Sequence, residues 1–166
     1  MGTTEPGLDL AALAARPQDP RARAHLVSCV HQVVRRYCRA LLGRSGRGFG
    51  VADELAGQVA ATLLRERHDD LSGPEPVEAV IYAAMAPVVA RALGEHPPPP
   101  PRPVAGPPTP ERVHEQLVHL PARPREVLVL RVCVGLSDEQ VGRALGLSPD
   151  VVRQEQRRAL ACLRTP

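Results

Sequence analysis

The chain has 166 residues, enough for one ordinary domain or two small ones. Apolar residues make up 43% and aromatics only 2%, so any core rests on Leu, Val and Ala; abundant Ala, Leu and Arg with few β-branched runs point to an all-α fold. The net charge of +3 is too mild to mark a nucleic-acid-binding tail, although all 21 basic residues are arginine, a side chain suited to phosphate and guanine contacts.

Residues 1–20 begin polar and end between two prolines, with a short helix expected from Leu8 to Ala15. A long helix is predicted over 21–43, where Leu26, Val30, Val33, Val34, Tyr37, Leu41 and Leu42 recur at helical spacing and Gly43 stops the pattern. "GRSGRGFG" follows as a glycine-rich loop, without the GK[ST] ending of a phosphate-binding loop. The next helix spans 51–68. Leu55, Val59 and Leu63 mark its packing face with Ala52, Ala56 and Ala60, and Asp53 and Glu54 suit the positive end of the helix dipole. "HDDLSGPEP" breaks the pattern before a third helix from about Pro76 to Gly94, in which Pro87 should produce a kink.

Residues 95–110, "EHPPPPPRPVAGPPTP", contain five successive prolines and read as a polyproline-II spacer. The chain therefore divides into two small helical modules, 21–95 and 111–164, joined by a proline-rich linker over 96–110. Helices are expected at 111–119 and 124–134 after the break "LPARP". Ser137 and Gln140 form an S-x-x-Q capping box for a helix through Leu145. Gly146 suits a tight turn, and Ser148 with Pro149 opens the last helix.

The last two helices fit a helix-turn-helix, with Val141, Leu145, Leu147 and Val152 forming the small core and Ala159, Leu160 and Leu163 extending it. Asp150, Arg153, Gln154, Arg157 and Arg158 stay on the polar side. The first part of a recognition helix enters the major groove, so Arg153 and Gln154 are candidates for base edges and Arg157 and Arg158 for phosphates, with Ser148 and Asp150 at the helix start. Periodicity alone leaves a second reading equally open, an amphipathic helix with a solvated charged face.

"LPARPREVLVLRVCVGLSDEQVGRALGLSPDVVRQEQRRALACLR", Leu120–Arg164, closely resembles region four of RNA polymerase sigma factors of the extracytoplasmic-function type. "RRYCRALLG" at Arg35–Gly43, "ADELAGQVAATLL" at Ala52–Leu64 and "VEAVIYAAMAPVVARAL" at Val77–Leu93 resemble region two of the same family, in its actinobacterial members. The resemblance implies a cytoplasmic, non-membrane transcription initiation factor with core RNA polymerase and promoter DNA as partners and an anti-sigma factor as a further one. It implies no cofactor, and it makes the protein no enzyme. By resemblance, Asp53, Glu54, Gln58 and Leu63 fall in the polymerase-binding helix, Val77–Arg91 in the −10 segment, and Arg153, Gln154, Arg157 and Arg158 in the −35 helix.

Several positions depart from the family pattern. Tyr82 is the lone aromatic of the −10 segment, although strand opening needs stacking and cationic contacts; Glu75 and Glu78 would repel phosphate. Pro87 and Val88 stand where polar or basic residues are usual, Gly57-Gln58 replaces a Gln-Glu pair, and Glu155 sits where a basic residue is common. Alternatives are a sigma-like DNA-binding regulator that does not open promoters, or an interaction protein that binds an anti-sigma factor. Cys29, Cys38, Cys133 and Cys162 form no CxxC pair and read as buried thiols of a reducing cytosol; His25 near Cys29 lacks the partners of a metal site. No signal peptide is seen, and no apolar run approaches the roughly 18 residues of a membrane span.

Overall fold

Asp19 starts the longest helix, α2 (Pro20–Leu42): its carboxylate accepts from the Arg21 amide, and Pro20 supplies a preset φ at the first position. The computed structural model describes residues 9–44, 48–95 and 109–164, so the middle of the expected glycine-rich loop, 45–47, and most of the expected proline-rich spacer, 96–108, lie outside the described residues. A short helix, α1 (Leu10–Ala14), precedes α2 and rests on it. The apolar stripe of α2 is buried as its spacing predicts, from Leu26 through Val30, Val33, Val34 and Tyr37 to Leu41.

Along α2 lies α3 (Gly50–Glu66), which buries Ala52, Ala56, Val59, Ala60 and Leu63. Small alanines on this face let the two helices approach closely. The break after α3 becomes a 3₁₀ turn, Asp69–Ser72. The next helix, α4 (Val77–Glu95), continues past Pro87, which lies on its exposed side. With a mean hydropathy of 1.5, α4 is long and apolar enough to cross a membrane, which a scan for uninterrupted apolar runs does not detect. It packs instead against α2 and α3 through Val80, Ile81, Met85 and Val89, each nearly fully buried.

Thr109 caps α5 (Pro110–Val118) by accepting from the Arg112 amide. α6 (Ala122–Leu128) starts two residues before the expected 124 and runs into a π-helical turn, Val129–Val134, ended by Gly135 in a left-handed conformation. α7 (Asp138–Leu145) and α8 (Pro149–Arg164) complete the chain. No strand occurs among the described residues.

Helices on both sides of residues 96–108 share one hydrophobic cluster, running from Leu10 to Ala159. In it α4 packs on α7, and α2 packs on α5 and on the π turn. The cysteines depart in part from the sequence expectation: Cys29 and Cys38 are buried, whereas Cys133 and Cys162 are exposed.

Candidate nucleic-acid interface

The start of α7 carries both halves of the expected capping box. Ser137 Oγ accepts from the Gln140 amide at 3.2 Å, and the Gln140 side chain accepts from the Ser137 amide at 2.9 Å. Gly146 ends α7 at φ 67°, and the Leu147 amide then donates to Gly142 O at 2.9 Å. A Cβ on Gly142 would lie 2.6 Å from Leu147 O, so the tight turn into α8 requires glycine there. Ser148 Oγ accepts from the Val151 amide at 3.4 Å to open α8.

Inside the helix pair, Val141 and Val152 are fully buried, with Leu145 and Leu147 packed beside them at partial exposure. Ala159 is fully buried further along α8, and Leu160 and Leu163 pack against the same core. The opposite side of α8 presents Arg153, Gln154, Arg157 and Arg158, all exposed, with Asp150 exposed in the first turn. Glu155, at a position where the family commonly has a basic residue, is half-buried and set off from this row.

Arg153 is held in place. Its guanidinium donates to Asp138 Oδ2 at 3.2 Å and to the Asp150 carboxylate. Asp138 Oδ1 lies 2.7 Å from Arg131 Nε, and Arg131 also donates to Leu136 O. An ion chain Arg131–Asp138–Arg153–Asp150 thus fixes the head of α8 against the two elements before it. Sequence reasoning missed Asp138 and Arg131, because Asp138 reads as an ordinary acidic residue in a helix's first turn.

On α3, Asp53 is gripped by Arg39 through two hydrogen bonds, both 2.6 Å, which hold its carboxyl below the usual range. Arg39 also lies 4.9 Å from the Phe49 ring centroid. Glu54 and Gln58 are exposed on successive turns, beside Val51 at 53% exposure. Leu63 is fully buried, so it seats α3 in the core and presents nothing to a partner; its periodicity had already placed it on the packing face.

The −10 segment implied by resemblance is α4. Glu78 is not the exposed, phosphate-repelling charge expected. Its side chain is fully buried and accepts a fork from Arg143 of α7, at 2.7 and 3.2 Å. Tyr82 is half-buried and meets Tyr37 edge-on, ring centroids 6.3 Å apart. No charged residue stands between Glu78 and Arg91.

Residues 117–165 match the family described as sigma-70, region 4. The whole chain is similar to the ECF RNA polymerase sigma factor ShbA of Streptomyces griseus subsp. griseus, 36% identical over 88% of this chain and 87% of the relative. It is also similar to the ECF RNA polymerase sigma factor SigD of Mycobacterium tuberculosis, 32% identical over 95% of this chain and 82% of that protein. The fold is similar to that of CnrH, solved in complex with the cytosolic domain of CnrY, with a TM-score of 0.54 at 24% identity over 93% of this chain and 92% of the other. Region four over residues 117–165, and relatives that match 88% and 95% of the chain, place this protein in the ECF family of RNA polymerase sigma factors, as a sigma-type transcription initiation factor.

Proposed function

We propose that this chain binds core RNA polymerase in the cytoplasm and directs it to promoters whose −35 element is read by α8. The observation that carries the reading is the row of Arg153, Gln154, Arg157 and Arg158, exposed on a helix whose other side is anchored by Val152 and Ala159. Arg153 and Gln154 lie near the start of α8, where base edges come within reach, and Arg157 and Arg158 one turn later suit phosphates. Ser148 and Asp150 shape the helix start. The protein has no catalytic role in this reading and needs no cofactor.

Residues 21–95 and 111–164 act as the region-two and region-four parts, with 96–110 as the linker. The polymerase-facing surface is α3, where Glu54 and Gln58 stand exposed and Asp53 is braced by Arg39. An anti-sigma factor is the further partner. Binding to a −35 duplex tests the reading: Arg153→Ala should cost about 1–3 kcal/mol and relax discrimination, while Arg157→Ala should weaken all sequences and lower the salt slope by about one. Equal binding of wild type and both variants would overturn it.

A second reading is favoured by one observation, the uncharged surface of α4 between Glu78 and Arg91. Single-stranded DNA is held by cations and stacked rings, and α4 offers Tyr82 alone. In this reading the chain binds polymerase and the −35 element but opens strands poorly. Permanganate footprinting of the −10 region in the reconstituted holoenzyme separates the two.

A further inference from the structure

Asp150 is the only exposed acid of α8, among a row of exposed arginines. Its side chain is 89% exposed, and that of Arg153, one turn later, is 47% exposed. Arg153 Nη2 donates to the Asp150 carboxylate, and Nη1 donates to Asp138 Oδ2 at 3.2 Å. Asp138 is only 18% exposed and lies 2.7 Å from Arg131 Nε. The guanidinium is thus anchored by a sheltered acid and flanked by a solvent-exposed one.

An acid in this row has a cost, because it repels the phosphates that Arg157 and Arg158 attract. The helix dipole favours an acid in the first turn, but that effect acts on stability and does not choose among bases. A second use follows from the donors left on Arg153. A guanidinium carries five N–H donors, and the two bonds take one from each terminal nitrogen. Enough remain for the two acceptors of a guanine, N7 and O6. The Asp150 carboxylate, which offers acceptors alone, adjoins them.

The major-groove edge of a G·C pair runs acceptor, acceptor, donor: guanine N7, guanine O6, cytosine N4–H. The bonded Arg153–Asp150 unit presents donor, donor, acceptor. It complements that edge at all three places, whereas A·T, T·A and the reversed C·G pair each oppose it at two. We propose that Asp150 is a specificity-determining residue: bonded to Arg153, it accepts from cytosine N4, and the two side chains read one G·C pair in one orientation. The inference rests on the reading above that α8 enters the major groove at the −35 element.

The test selects duplexes randomised across the −35 element with holoenzyme reconstituted from the full chain. Wild type, Asp150→Ala, Asp150→Asn and Arg153→Ala are compared, each checked for folding by circular dichroism. Wild type should enrich G·C at one position. Asp150→Ala should lower that preference about three- to tenfold, while affinity for unrelated duplexes holds or rises because a repulsive charge is gone. Asp150→Asn should relax it similarly, since its amide also donates and so tolerates thymine O4. Arg153→Ala should erase the preference at the same position, and adding Asp150→Ala to it should change nothing further there. If both Asp150 variants keep the wild-type preference, Asp150 serves the helix alone and the proposal fails. It also fails if Asp150 and Arg153 variants loosen different positions. If wild type enriches no element, the −35 reading itself falls, and this inference with it.

Discussion

α4 and α8 differ little in length and make opposite use of their residues. α8 buries Val152 and Ala159 and leaves a row of arginines outside. α4 buries Val77, Glu78, Val80, Ile81, Met85 and Val89 and has no charge between Glu78 and Arg91. α8 is thus a polar surface held on by few apolar anchors, and it depends on its turn, the Ser148 cap and the Arg131–Asp138–Arg153 chain for its position. α4 is a structural helix whose buried ion pair, Glu78 with Arg143, faces another helix and not solvent. The difference teaches where promoter affinity should arise: electrostatic binding follows exposed cations, so the C-terminal half should supply most of it.

The largest effect should come from damaging α4 as a core element. Ile81→Ala leaves a cavity at a side chain that is 1% exposed and should cost about 2–5 kcal/mol by denaturant unfolding. A loss under about 1 kcal/mol would mean that α4 is not the packed scaffold described. Next in size is Arg153→Ala, the ~1–3 kcal/mol loss on a −35 duplex set out above. The complementary change tests the other helix: Ala90→Arg adds a cation to the exposed side of α4. If α4 reaches single-stranded DNA in the open complex, that variant should steepen the salt dependence of strand binding by about 0.7. An unchanged slope would keep α4 off the nucleic acid.

Asp138 sharpens the α8 side of the comparison. Its side chain, 18% exposed, bridges Arg131 and Arg153. Asp138→Asn should loosen Arg153, so discrimination among −35 sequences falls about fivefold, or roughly 1 kcal/mol, while non-specific affinity holds or rises because an acid near phosphate is gone. A uniform loss across all sequences would instead mean that Asp138 only stabilises the start of α7.

What the sequence disclosed and what it hid follow from the range of each interaction. Asp19, Thr109, the Ser137–Gln140 box and Gly146 act within a few residues, so the helix ends they set are legible from local pattern. The stripe of α2 and the anchors Val141 and Val152 follow from spacing alone. Glu78 could only be read as an acid near DNA, because its partner Arg143 is 65 residues away and meets it through docking of the two halves. Arg153 looked unattached for the same reason, with Asp138 15 residues before it. Leu63 shows the reverse case: family position suggested a contact surface, while its periodicity already indicated burial. The π turn at Val129–Val134 has no local marker in an otherwise regular helical pattern.

The smallest expected effect lies where Tyr37 of α2 meets Glu126 of α6. Glu126 accepts from Tyr37 at 2.6 Å in a poorly solvated position, and burial raises its carboxyl despite the help of the Tyr37 hydroxyl and Arg125. A carboxyl raised in the folded state binds its proton more tightly there than in the unfolded chain. Its contribution to stability is therefore full below the ordinary carboxylate range and is lost as pH rises through the folded value. Glu126→Gln still offers an oxygen to Tyr37 but cannot ionise. Relative to wild type it should gain stability between about pH 4 and 7, by under about 1 kcal/mol. Urea unfolding of both proteins across that range reads the difference directly. If wild type gains on the variant as pH rises, the ionised carboxylate is favoured in the folded chain and burial does not raise Glu126.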